Sequence, residues 1–198
     1  HGRDIRTTID IDIQDIADRA LRAQIQENPE VQGGCIVVME VETGAVKAMV
    51  NLSRNSRNSM GEYFNSAIGR PAEPGSIFKA VSLLTLLEDG HVELETEIPT
   101  NHGRMKEYPK ITPDDYIVKH EYRTKSDRIS VVDGFKISSN YVFRRLVLDS
   151  YGEKPQKFID KLYEYKLNNA YTFDLEEKGG TNSRVPDPGS SGWSRSTL

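Results

Sequence analysis

A serine three residues before a lysine, Ser76-Ile77-Phe78-Lys79, opens an apolar run that continues through Val81, Leu83, Leu84, Leu86 and Leu87. Read as a helix, that run puts Ser76 in the first turn. There its hydroxyl is exposed near the positive end of the helix dipole, and its backbone N–H is not used within the helix. Lys79 lies about one turn on and can lay its amine against that hydroxyl on the same face. Lysine works as a base only where burial or a cationic neighbour lowers its pKa toward neutrality, and the flanking Ile77, Phe78 and Val81 supply apolar surroundings. Ser76 and Lys79 are therefore a candidate nucleophile and base. The plain alternative is a helix-capping serine and a surface lysine, because this spacing also arises by chance. A second candidate is Ser138-Ser139-Asn140, a hydroxyl and an amide two positions apart at a break between helical patterns. Both side chains can project into one cleft, although Ser and Asn are also ordinary helix caps.

The elements that must hold these residues read as follows. Ile9, Ile13, Ile16, Ala17, Ala20, Leu21 and Ile25 predict an amphipathic helix from about Asp10 to Gln26, with Thr8 as N-cap and Asn28-Pro29 as the stop. Cys35 to Val41 and Ala45 to Val50, on either side of Glu42-Thr43-Gly44, predict a strand pair. Residues 51–62 are polar and aperiodic and read as an exposed connection. Pro71-Ala72-Glu73-Pro74-Gly75 predicts a turn ahead of the Ser76 helix, which Asp89-Gly90 closes. Residues 91–129 are expected to be loops with short irregular elements. Helices are expected over Ile129 to Phe135, Asn140 to Tyr151 and Pro155 to Tyr165, and the segment Glu176 to Leu198 is rich in Gly, Ser, Pro and Asn.

With 198 residues and 36% hydrophobic composition, the chain suits one domain with its own core. Acidic residues outnumber basic ones, 30 to 26, for a net charge of -4, which argues against nucleic acid as a partner. No apolar run reaches the roughly 18 residues of a membrane helix, so the chain is expected to be soluble. The lone cysteine, Cys35, sits in an apolar run and reads as an inert core thiol. His1, His91, His102 and His120 are scattered without ligand spacing, so no metal site is expected.

Ser-x-x-Lys, Ser-x-Asn and Lys-Thr-Gly form a joint signature of penicillin-binding proteins and serine β-lactamases, and the first two occur here in order. The likeness extends along the chain: Thr7-Thr8-Ile9-Asp10 leading into Gln14-Asp15-Ile16-Ala17, the strands around Glu42-Thr43-Gly44-Ala45-Val46, Asn65, Glu73-Pro74-Gly75 before the serine, and Trp193-Ser194. The chain resembles the N-terminal part of the transpeptidase domain of class B penicillin-binding proteins. That resemblance implies an α/β fold of the α+β type, with a helical subdomain plus part of an antiparallel sheet, residues 1–198 all belonging to the one domain. It implies a serine-type D-Ala-D-Ala transpeptidase in which Ser76 attacks the penultimate D-alanine carbonyl of a stem peptide and Lys79 deprotonates it. Ser138 would relay a proton, Asn140 would bind the donor's backbone, and no metal or cofactor is implied. Expected partners are peptidoglycan stem peptides, β-lactams, and division or elongation membrane proteins. The parent enzyme is expected at the periplasmic face of the inner membrane.

One element departs from the pattern. No Lys-Thr-Gly or Lys-Ser-Gly occurs, and Lys178-Gly179-Gly180-Thr181 reads as loop because no strand pattern surrounds it. In the family that motif lies on a later strand, which also supplies one oxyanion-hole N–H, and pedestal and anchor would precede the domain. The sequence is therefore expected to be an incomplete, weakly active or inactive part of such an enzyme. A class D-like β-lactamase or β-lactam sensor would share Ser76 and Lys79 but usually carries a hydrophobic residue in place of Asn140. A noncatalytic docking module is the rival of a different class.

Overall fold

The computed structural model describes residues 4–70 and 72–169, which fall into two compact units divided before Glu73. Lys178-Gly179-Gly180-Thr181, Trp193-Ser194 and the Gly-rich segment that contains them lie outside the described residues.

The first unit packs helix α1 (Ile11–Glu27) on a three-stranded antiparallel sheet of β1 (Gly33–Met39), β2 (Val46–Arg54) and β3 (Met60–Gly61), in that order, followed by the short helix α2 (Ser66–Gly69). Ala17, Leu21 and Ile25, spaced four apart on α1, meet Ala48, Val50 and Leu52 of β2 in one buried cluster. The cap of α1 is Asp10, whose carboxylate accepts from the N–H groups of Asp12 and Ile13. The expected cap, Thr8, instead donates to the carbonyl of Val46 at 2.6 Å. β2 pairs with β1 on one side; on the other, β3 pairs with its end and side chains meet part of the rest. Gln14 both donates to and accepts from the Met49 backbone, and Glu62 accepts from Asn51 N–H.

Two further expectations fail in this unit. The polar stretch from residue 51 continues β2 as far as Arg54, because Leu52 is buried and the strand partner Gly33-Gly34 extends to match it. Cys35 is exposed, not a core thiol: side chains alternate along a strand, and Cys35 shares the outer face of β1 with Val37 and Met39.

The second unit contains a 3₁₀ turn (Gly75–Ile77), α3 (Phe78–Glu88), β4 (Glu97–Pro99), α4 (Asp115–Thr124), β5 (Arg128–Ser130), α5 (Val131–Lys136), α6 (Asn140–Tyr151) and α7 (Pro155–Glu164). Its core is built from Leu86 of α3, Val142, Phe143 and Val147 of α6, and Phe158 and Ile159 of α7. Ser82 and Thr85, buried on α3, return their hydroxyl protons to carbonyls four residues back, so no polar group is stranded there.

The segment expected to be irregular, 91–129, holds the ten-residue helix α4 and the strand pair β4–β5. α4 turns only one residue, Ile117, fully inward, which leaves the segment's periodicity weak. Ile129 belongs to β5, and α5 starts at Val131 because Ser130 caps it by accepting from Asp133 N–H. Mixed helices and small antiparallel sheets give the α+β class that the sequence implies. Among the described residues no helix is long and apolar enough to cross a membrane.

α5 meets α6 at Gly134, where a Cβ would stand 2.6 Å from the Cγ1 of the fully buried Val142. Gly134→Ala is therefore expected to destabilise the second unit by roughly 1–3 kcal/mol through overpacking. Thermal denaturation reads this directly, and an unchanged midpoint would mean that the two helices can separate freely.

Candidate active site

Glu73-Pro74-Gly75 delivers the chain to Ser76 through a backbone that only glycine adopts readily: Gly75 has φ +58° with open space around its Cβ position, so the requirement is conformational and not steric. Ser76 then sits in the 3₁₀ turn and is exposed, while Lys79 in the first turn of α3 is 2% exposed. The serine hydroxyl faces solvent and the lysine beneath it does not.

Lys79 Nζ lies 2.8 Å from Ser76 Oγ, 2.8 Å from the Ser138 carbonyl oxygen and 3.1 Å from Ser138 Oγ. These three partners match the three protons of an ammonium group. A carbonyl can only accept, so one N–H stays on the Ser138 carbonyl in either protonation state. A neutral amine keeps one more N–H and a lone pair, and these must be shared between the two hydroxyls. The Ser76 hydroxyl is thereby a possible donor to Nζ, and the Ser138 hydroxyl can take or return a proton on the other side. Burial pushes the Lys79 pKa below the ordinary lysine value; the charge of Asp114 opposes this shift and that of Arg144 adds to it. Ile77 contributes little to this burial, contrary to expectation, since it is 81% exposed.

Ser138 reaches Lys79 because the chain reverses sharply between α5 and α6. Its φ is +53°, an unusual conformation for a residue with a Cβ, and its N–H donates to Phe135 O while Ser139 N–H donates to Gly134 O. Ser139, the middle residue of the trio, is the cap of α6: its hydroxyl oxygen accepts from Val142 N–H. The capping alternative thus holds for Ser139 alone, which leaves Ser138 directed to Lys79 and Asn140 at the exposed first position of α6.

The residue that fixes this reversal is Asp114. One carboxylate oxygen accepts from Tyr116 N–H and caps α4; the other accepts from the Ser139 hydroxyl at 2.8 Å and Tyr141 N–H at 2.9 Å. Gly103 presses against it, with φ +69° and no room for a Cβ, which would come within 2.6 Å of Asp114 N. Sequence reasoning missed Asp114. The available signal was Pro113-Asp114 before Asp115-Tyr116-Ile117, an N-cap pattern that announces α4. A cavity of about 400 Å³ adjoins this corner, its wall including Asp114, Asp115, Tyr116, Asn140, Tyr141 and Arg144. No group of three or more His, Cys, Asp or Glu side chains that could hold a metal forms among the described residues.

Asp114 raises the lysine pKa electrostatically while holding the Ser138 turn by hydrogen bonds. Asp114→Asn keeps an acceptor oxygen and removes the charge. The pKa of Lys79 should then fall further, the neutral amine should persist to lower pH, and the acid limb of any Lys79-dependent acylation should move to lower pH. A shift toward higher pH, measured as rate against pH, would contradict this electrostatic role.

The family model of the penicillin binding protein transpeptidase domain matches residues 34–194. Solved structures with the same fold include a peptidoglycan glycosyltransferase from Burkholderia ambifaria, 22% identical with a TM-score of 0.75, for which 97% of this chain aligns with 54% of that one. The transpeptidase domain of penicillin-binding protein 3 from Burkholderia pseudomallei is 21% identical with a TM-score of 0.74, all of this chain covering 53% of it. Penicillin-binding protein 2B from Streptococcus pneumoniae is 20% identical with a TM-score of 0.70, 98% of this chain covering 34% of it. At these identities the structural likeness is one of fold, and the chain spans about half the length or less of these three structures. The family match extends over most of the sequence, and with it the chain belongs to the penicillin-binding protein transpeptidase domain family.

Proposed function

We propose that this chain is part of a class B penicillin-binding protein, residues 1–198 falling within its D,D-transpeptidase domain, and that Ser76 is the acylated nucleophile. The observation that carries the reading is the buried Lys79 amine 2.8 Å from an exposed serine hydroxyl, with the Ser138 hydroxyl as its second neighbour at 3.1 Å. Neutral Lys79 takes the proton as Ser76 Oγ bonds to the carbonyl carbon of the penultimate D-alanine. Collapse of the tetrahedral intermediate breaks the amide bond, and the departing amine of the terminal D-alanine receives the proton through Ser138. Asn140, exposed at the start of α6, hydrogen-bonds the donor's backbone. An amine from a second stem then attacks the ester carbonyl, forming the cross-link and restoring the serine hydroxyl.

A β-lactam follows the first half of this course. Its amide bond opens on Ser76, and the tethered remainder obstructs the second amine. On this reading the work is done at the periplasmic face of the inner membrane, alongside division or elongation proteins. The polar Asn140 favours a transpeptidase over a class D-like β-lactamase.

Intact mass after incubation with a β-lactam is expected to rise by one drug mass, and Ser76→Ala is expected to abolish the adduct. Lys79→Arg keeps a cation but supplies no base at neutral pH, so it is expected to slow labelling by at least two orders of magnitude, within the usual span of general-base catalysis. Labelling that persists in Ser76→Ala would remove Ser76 from the role. Labelling absent from the wild-type chain and also from a chain extended toward its relatives' length would sink the enzyme assignment.

A further inference from the structure

Two arginines stand side by side on α6 with opposite fates. Arg145 is paired with Glu107 at 2.9 Å and with Asp149 one turn on. Arg144, half-buried in the wall of the 400 Å³ cavity, makes no hydrogen bond or ion pair among the described residues. Neither carboxylate of the cavity wall pairs with it: the charge of Asp114 partly offsets the effect of burial on Arg144, but its oxygens accept from Tyr116 N–H, Ser139 Oγ–H and Tyr141 N–H, and Asp115, at the first position of α4, makes no ion pair among the described residues. A guanidinium has five donors in a planar fork that matches a carboxylate, and leaving them unused in a partly desolvated position is costly.

The same face of α6 carries Asn140 four residues earlier, one helical turn away, and its amide is likewise without an intramolecular hydrogen bond among the described residues. Asn140 and Arg144 thus line one cavity, and Asn140 stands two residues after Ser138, whose hydroxyl meets Lys79. We propose that Arg144 and the cavity beside it form a subsite for a free carboxylate on the acyl-donor peptide, borne by a residue upstream of the D-alanine pair whose backbone Asn140 holds. The proposal rests on the transpeptidase reading for the direction in which the donor lies. It adds that the donor stem is selected for a negative charge away from the bond that is cleaved. An amidated stem loses one strong bidentate contact and leaves the guanidinium desolvated and unpaired.

The test uses the full chain carrying Ser76→Ala, so that binding is read without turnover. Two synthetic peptides ending in D-Ala-D-Ala are titrated by calorimetry or NMR, one with a free carboxylate on an upstream residue and one with that group as a carboxamide. The carboxylate form is expected to bind about tenfold or more tightly, the scale of one charge-assisted contact. Arg144→Gln should bring the two affinities together, and Arg144→Lys should restore only part of the gap. Equal affinities in the parent, or a gap that survives Arg144→Gln, would overturn the subsite. A peptide with the carboxylate but without the D-Ala-D-Ala end that bound equally well would overturn its assignment to the donor. β-Lactam labelling of Arg144→Gln on the Ser76 background is read separately. Loss of labelling in the unmutated chain defeats the transpeptidase reading, whereas normal labelling with no carboxylate preference defeats this inference alone.

Discussion

The arrangement depends on burying an amine. An ammonium group removed from water loses several kcal/mol of solvation unless its protons are met, and the second unit meets all three of those of Lys79 with atoms of Ser76 and Ser138. That requirement dictates where the α5–α6 reversal must lie, since the two residues are 59 positions apart from lysine to Ser138. Packing supplies the rest. Leu86 and its neighbours on α3 fix the helix carrying the lysine, and Val142 and Val147 fix the helix that begins at Asn140. The same burial that makes the amine costly to protonate lowers its pKa, the direction that the proposed base requires.

Several residues with positive φ shape the turns of the second unit, and one of them, Ser138, meets this amine. Gly75, Gly103 and Ser138 all have positive φ, as do Asn101 and His102. Of these, the non-glycine residues bear the larger conformational cost, and each is held by contacts from elsewhere in the unit. Asn101 donates to the hydroxyl of Tyr141, which itself donates to Pro99 O, and His102 pairs with Glu121. Asp114 joins the Gly103 corner to the start of α6. A carboxylate that makes no hydrogen bond to Ser76 or Lys79 is thus what holds the turn at Ser138 and the start of α6.

The sequence was most legible where a local rule coincided with a buried face. The helix over Asn140 to Tyr151 was bounded correctly because its apolar residues face one core. α4 escaped notice because it is largely exposed and turns only Ile117 fully inward, so its hydrophobic signal is faint beside that of its charged residues. Cys35 and Ile77 were misjudged for a shared reason: apolar neighbours in sequence say nothing about which side of a strand or turn a residue takes. Within the site, the spacing of Ser76 and Lys79 follows from helical geometry alone. The approach of Ser138 to Lys79 is a tertiary fact, and no local pattern encodes it; nor does any pattern disclose that, among the described residues, Arg144 makes no ion pair while Arg145 is doubly bound.

Residue 138 offers Lys79 two different kinds of partner. Its hydroxyl belongs to the side chain, but its carbonyl belongs to the main chain and survives any substitution that preserves the reversal. Substitution at this position would therefore remove the hydroxyl contact while leaving the lysine its main-chain partner. On the proposed reading, the side chain at 138 is free to vary in its chemistry while the amine stays aimed at Ser76, because the main chain itself guards the aim.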